Sequence, residues 1–368
     1  MLMRETYLRK GQSLSDTGTY IIDINVAEPI SAILLYLSAT NGSTSNQGVR
    51  IHDDIDKIEL VDGSDTLVSV SGIELQAFDF YHFGRDVYRC LNEGGGATQR
   101  EAFIIPFGRF IGDPEYYFDP KRFTNPQLKI TTSLTISATA GFATGTLSLS
   151  AIAKVFSESP PPAKGFFMLK NLYSFTTAAS GDETINMPRD YPYRALMVRA
   201  YESGTAFETD LTNLKLSCDN DAFIPFDLTS GDLVRHNVNW RGKLQVEMNL
   251  FRTDGDSVAI WLPYIDAAIA NAVNDLDIAS FDAVSVNTAT LQLLTLTTSP
   301  SIAKSSTDTS VLAKFVGYAP FFTVCYPWGD LIGQPDYFPA SKYGNIDLKL
   351  TQGGAGAAAS VVLQQVRA

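Results

Sequence analysis

The sequence predicts an all-β protein of two tandem, related sandwiches with few short helices, and three observations carry that prediction. Apolar residues recur with period two in several short runs. A block from the middle of the chain returns near its end. A Pro-rich segment lies between the two copies.

The alternation is plainest over residues 128–136, where Leu128, Ile130, Leu134 and Ile136 share one face with Thr132 between them. Lys129, Thr131, Ser133 and Thr135 take the other face, as in a half-buried antiparallel strand. After the Gly141–Gly145 turn, Leu147, Leu149, Ala151, Ala153 and Val155 repeat the pattern, and Leu244, Val246, Met248 and Leu250 form another such face. Shorter runs lie at 31–38, 57–61, 193–200, 290–296 and 360–366, with Asp62-Gly63 and Asp254-Gly255 as turn signals. One stretch predicts a helix: over 261–275, Ile265, Ala268, Ile269 and Val273 share a helical face. Strands that do not alternate with helices exclude a doubly wound α/β fold. About eight short strands per half suit a jelly roll, an immunoglobulin-like sandwich or a small barrel, and the duplication favours the jelly roll.

The internal match joins residues 103–131 to 324–351. Without a gap, Pro106 falls on Pro327, Gly108 on Gly329, Gly112 on Gly333, Pro114 on Pro335 and Tyr116 on Tyr337, with Tyr117 opposite Phe338. After a one-residue slip, Phe123 meets Tyr343, Asn125 meets Asn345, and Leu128-Lys129-Ile130-Thr131 meets Leu348-Lys349-Leu350-Thr351. A fainter match pairs 55–60 with 211–216, each followed by an acidic turn. The second copy is longer by about 65 residues between its two matching blocks. The expected division is an N-terminal arm over 1–19, a first roll over 20–158 and a stiff Pro-rich linker over 159–165. A second roll over 166–368 would carry an insertion at about 252–318.

Charged residues make up only 18 % of the chain, and Ser, Thr, Asn and Gly fill the polar positions, a surface suited to repeated lateral contacts. The net charge of −12 argues against affinity gained by neutralising phosphates, so no specific nucleic-acid binding is expected. Arg4, Arg9 and Lys10 outweigh Glu5 and make the first residues a basic arm that could touch an anionic surface once many copies are arrayed. Cys90, Cys218 and Cys325 are odd in number and far apart, giving no disulfide framework. The start has no apolar core of a secretory signal and no stretch is long enough to cross a bilayer, so a soluble cytoplasmic product is expected.

Catalytic and metal chemistry finds little support. His52, His82 and His236 sit in dissimilar contexts, and no metal-binding, nucleophile-elbow or phosphate-loop motif occurs. The glycines at 94–96 and 353–354 read as turns. Asp53, Asp54, Asp56, Asp62 and Asp65 could supply calcium ligands, though not at EF-hand spacing, and read better as a solvated face and a turn. Asp113 with Glu115 invites a glycosidase reading, but Gln334 replaces the first of them in the second copy. The neighbouring Tyr116, Tyr117, Tyr337 and Phe338 could stack on sugars, and more often would seal a sandwich end or a subunit contact. Asn41-Gly42-Ser43 fits a glycosylation pattern by accident.

Two fused, similar jelly rolls of this total length resemble the double jelly-roll major capsid proteins of tailless icosahedral viruses, a group that includes membrane-containing bacteriophages and adenovirus. The resemblance covers nearly the whole chain as architecture, with no short diagnostic motif. It implies a non-enzymatic virion protein made in the host cytoplasm, without cofactor or catalytic residues. Three copies would form a pseudo-hexagonal capsomer of an icosahedral shell. Partners would be the chain itself, penton and minor capsid proteins, and an internal viral membrane reached through Arg4, Arg9 and Lys10. The alternatives are a carbohydrate- or receptor-binding virion spike and a glycan-active enzyme of tandem sandwiches.

Overall fold

The computed structural model describes residues 2–158, 160–252, 258–261, 265–272, 277–285, 288–296, 302–304, 309–329 and 337–368, with backbone alone over 251–310. In the first half the strands are β1 (Met3–Ser13), β2 (Thr17–Asp23), β3 (Ile30–Asn46), β4 (Ile55–Asp62), β5 (Asp65–Val70), β6 (Thr98–Pro106), β7 (Pro126–Ser133) and β8 (Ser148–Phe156). They form two antiparallel layers, ordered β1-β8-β3-β6 and β2-β7-β4-β5. The second half repeats them as β9 (Phe166–Thr176), β10 (Gly181–Asn186), β11 (Tyr193–Tyr201), β12 (Leu211–Cys218), β13 (Phe223–Thr229), β14 (Thr323–Pro327), β15 (Ile346–Gln352) and β16 (Ala358–Arg367). Their orders, β9-β16-β11-β14 and β10-β15-β12-β13, are the same with every number raised by eight. Each half is a jelly roll.

The alternating runs lie where strands place them. Leu128, Ile130, Leu149, Ala151, Ala153 and Val155 are wholly buried between the layers of the first roll. Leu214, Leu216, Leu348 and Leu350 do the same in the second. Each such side chain stabilises by about 1.5–3 kcal/mol relative to an exposed one. Ile136, expected on the buried face, is 48 % exposed because β7 ends at Ser133.

Three expectations are corrected. The first residues are not a free arm: β1 pairs along β8, from Met3 opposite Phe156 to Ser13 opposite Ser148, and completes the first roll. Alternation was hidden there by charges and by register shifts on either side of Arg9, devices that blunt an open sheet edge. The helix expected over 261–275 is instead strand at Val258–Trp261 and Ile265–Ala272. The second of these pairs antiparallel with Thr309–Gly317, which gives its backbone groups partners, and a run of Ile and Ala reads equally well with either period. Val273 and the Asp254-Gly255 turn lie outside the described residues.

The third correction is two helices that the sequence reading missed, α1 (Gly72–Phe83) and α2 (Ser230–Arg241). Each follows the fifth strand of its roll, starts at a capping residue (Ser71 or Thr229) and stops at a glycine (Gly84 or Gly242). α2 docks on the outer edge at β14, and α1 on the part of β6 beyond Arg100 and Glu101, which pair with the strand Arg89–Asn92. Gln76 Nε2 donates to Ala102 O at 2.7 Å, and Asp79 accepts from Ile104 N at 2.9 Å. In the second roll Asn237 takes over, donating to Cys325 O at 2.6 Å and accepting from Cys325 N at 2.8 Å. The extra length of the second roll lies between α2 and β14, where its strand Leu244–Arg252 runs parallel to Arg89–Asn92 of the first roll.

Asn237 is 3 % exposed, so an Asn237→Ala change strips two buried backbone groups of their partner. A loss of about 1–3 kcal/mol is expected in urea unfolding, and a loss below a few tenths would show that water replaces the amide.

Candidate functional site at the roll junction

The duplicated segments leave β6 and β14 at their prolines. Pro106 pairs with Ala32 and Pro327 with Ala195, the same place in each roll. Structure also locates the slip. Ile30 exchanges backbone hydrogen bonds with Phe118, and Tyr193 does so with Phe338. Phe118, not Tyr117, is thus the partner of Phe338, and Tyr117 is the extra residue. Its hydroxyl donates to Pro161 O at 2.7 Å, tying the first roll to the linker. Beyond the slip the equivalence continues into side chains. Asp62 accepts from Thr124 N and Asn125 N, and Asp219 accepts from Gly344 N and Asn345 N.

Gly108 is required by a close approach: a Cβ there would stand 2.4 Å from Tyr116 O and 2.7 Å from Asp113 Cβ. Gly112 has φ +92, and Gly329 has φ +68. Pro114 and Tyr116 are half-buried, as is Tyr337. Gly333 and Pro335 lie outside the described residues, as does Gln334.

The two copies of the repeat meet. Tyr116 and Tyr337, equivalent residues, stand edge to face with ring centroids 6.0 Å apart, and both pack on Phe167 at 5.2 and 6.3 Å. The Arg194 guanidinium covers Phe167 at 4.4 Å and donates to Gln364. Arg194 is fully buried, and burial draws it down to about 10, so it stays charged at neutral pH. Its Nη1 also lies 3.2 Å from His82 Nδ1. Burial, then the Arg194 and Arg241 cations, holds His82 well below its ordinary value, so its neutral ring accepts that bond. Around this point, β5 pairs parallel with β9 through Val68 and Leu169, joining a layer of each roll into one eight-stranded sheet.

The carboxylates set aside for catalysis are paired. Arg109 donates to Asp113 from Nε at 2.7 Å and to Glu115 from Nη2 at 2.7 Å, and Lys164 bridges to Glu115. Burial alone would raise Asp113, but Arg109 holds its carboxyl below the usual range, while the Lys164 hydrogen bond leads the lowering of Glu115. Neither carboxyl is kept protonated as a general acid must be. The acidic run is dispersed as well. Asp54 accepts from Thr135, Asp56 from Ser133, and Asp65 pairs with Arg367. Among the described residues no cluster of three His, Cys, Asp or Glu is poised for a metal. Asn41 is buried, its amide donating to Asn92 O and Gly94 O. Cys90, Cys218 and Cys325 are free thiols.

Of the basic residues on β1, Arg4 pairs with Glu28, Arg9 is exposed, and Lys10 lies over the Tyr7 ring at 5.4 Å. His236 is exposed on α2. His52 is buried and bonds Glu101 at 2.8 Å.

No protein-family model matches the chain, and no curated protein does. Solved structures do. The STIV MCP aligns over 100 % of this chain and 97 % of its own, with a TM-score of 0.57 and 13 % identity. Major capsid protein P2 from bacteriophage PM2 aligns over 100 % and 98 %, at 0.54 and 13 %. PBCV-1 VP54 aligns over 99 % and 93 %, at 0.58 and 10 %. The fold is the double jelly roll. Coverage from end to end means that both rolls, and their order, have counterparts in these capsid proteins.

The His52–Glu101 pair gives a pH signature. Burial alone would lower His52, but the Glu101 and Asp53 carboxylates raise it above its ordinary 6.5. Its stabilisation is therefore full below 6.5 and is lost as pH rises through the higher folded value. Urea unfolding of wild type against His52→Asn, followed from about pH 6 to 9, should show the difference shrinking with rising pH. A constant difference would mean that the pair does not titrate as a unit.

Proposed function

We propose that this chain is the major capsid protein of a tailless icosahedral virus and that three copies form a pseudo-hexagonal capsomer. The observation that carries the reading is the repeated strand order of two whole rolls, joined through a buried junction rather than a flexible linker. Three chains with two equivalent rolls each present near six-fold edges while the oligomer stays a closed three-fold. The paired Asp113 and Glu115 favour this reading over a glycan-active enzyme. The place of action is the virion, after synthesis in the host cytoplasm, and neighbouring capsomers, penton and minor capsid proteins are the partners.

We further read Arg4, Arg9 and Lys10 as an inner-face contact with an internal viral membrane. Arg9 and Lys10 are exposed on an open sheet edge, and an array adds many weak attractions of about 1 kcal/mol per basic residue. The duplicated Pro106, Gly108, Gly112, Pro114 and Tyr116 with their partners Pro327, Gly329, Gly333, Pro335 and Tyr337 are read as a structural element of the junction.

Light scattering across a concentration series should give a trimer of the 40.1 kDa chain, or shells built from it. A monomer at every concentration and on membranes would overturn the capsid reading. Assembled particles should co-float with anionic vesicles, and Arg9→Glu should weaken flotation while leaving assembly intact. Unchanged flotation would remove the membrane role.

A further inference from the structure

Within the chain, α1 is held on two sides along its length, whereas α2 meets the first roll only at its last turn, where Trp240 stacks on Tyr81. Ten of the twelve residues of α1 are buried, against four of twelve in α2. The second side of α1 lies on the outward face of the second roll. Glu74 accepts from Ser360 Oγ at 2.6 Å and from Asn171 Nδ2 at 2.8 Å, and Tyr81 donates to Thr323 O at 2.7 Å. That face is dry: Met197, Val362 and Cys325 are at most 2 % exposed.

The helices correspond residue for residue. Ser71 matches Thr229, Gly84 matches Gly242, and Asp79 and Asn237 each accept from the sheet edge at equivalent places. On α2 the positions that answer to Glu74, Phe78 and Tyr81 are Asp232, His236 and Asn239, all exposed. Beside them opens a groove of about 580 Å³ lined in part by His236, Trp240, Pro327 and Gly329. In the first roll the corresponding region, around His82 and Phe107, is filled by Arg194 and by Phe167, whose N–H bonds Phe107 O.

Among the described residues, no helix side chain bonds across the matching outward face of the first roll as Glu74 and Tyr81 do on the second. One row runs Tyr7, Ile152, Leu34, Ile104 across four strands, and its counterpart is Asn171, Val362, Met197, Cys325. The next row, Ser150, Tyr36, Ala102, answers to Ser360, Arg199, Thr323. Tyr7 is 53 % and Tyr36 40 % exposed, whereas Leu34 and Ile104 are each only 9 % exposed and belong to neither core cluster.

We infer that α2 of one copy docks on the outward β1-β8-β3-β6 face of a second copy, repeating between chains the contact that α1 makes within one. The inference rests on the trimeric reading and names its contact: Asp232 takes the place of Glu74 and meets Ser150 and Tyr7 of the neighbour. The contact is heterologous, and three repeats close a ring of six rolls.

The test uses the full chain in a Cys90→Ser background, carrying Ser150→Cys and Asp232→Cys together, treated with a short bis-maleimide. Both residues lie at the surface of the single chain. Covalent dimers and trimers are expected on a denaturing gel, with no ladder beyond three, and neither single variant should cross-link to more than background. Tyr36→Glu should weaken association about tenfold or more with an unchanged melting temperature of the monomer. A trimer by light scattering that neither cross-links nor responds to Tyr36→Glu would overturn this docking while leaving the capsomer. A wild-type monomer at every concentration would overturn both.

Discussion

The open edge of a β-sheet is the constraint on which this structure is built. A jelly roll leaves unpaired backbone groups at the ends of both layers, and each such end must be covered, blunted or extended. Here three answers are used. Helix side chains cover β14 and the part of β6 that Arg89–Asn92 leaves unpaired, and charges and bulges blunt β1. At β5 the edge is extended into the other roll through β9. That join, together with the parallel pairing of Arg89–Asn92 with Leu244–Arg252, makes one molecule of two sandwiches, and it places α1, Phe167 and Arg194 where a dry junction can form.

A buried guanidinium would be costly alone, since an unpaired charge in a dry interior is strongly destabilising. Arg194 is accommodated because three chemically different neighbours converge on it: an amide oxygen, a neutral imidazole and an aromatic face. Each comes from a different segment, so the side chain senses whether the rolls are in register with each other. The duplicated tyrosines beside it are conserved between the halves for a related reason. They are the same residue seen from both sides of one contact.

Much of the fold was legible in the sequence because alternation and self-similarity are both direct records of geometry. The Asp62 and Asp219 turns show how far that goes, since even the capping bonds were duplicated. Other features left weaker traces. α1 buries nearly all its surface, so it has no amphipathic stripe, and only the Ser71-x-x-Glu74 capping pair announced it. β1 has too many charges to read as a strand until its partner is known. Arg194 and the junction arise from residues far apart in sequence, and no local pattern marks them. The strand at Ile265–Ala272 misled because small apolar residues satisfy a helical and an extended period together.

The position of β16 has a kinetic consequence. It follows every other strand of the two rolls in sequence, yet it lies in the interior of its sheet, between β9 and β11, and carries Ser360 and Gln364 into the junction. Until it emerges, Glu74 and Arg194 lack those partners, and β9 and β11 have no strand between them. Pairings of long sequence separation close slowly, so the first roll can mature early while the junction waits for β16 to be made. The two rolls are thereby locked by β16, and a copy cut before it would lack the seat on which its own α1 must rest.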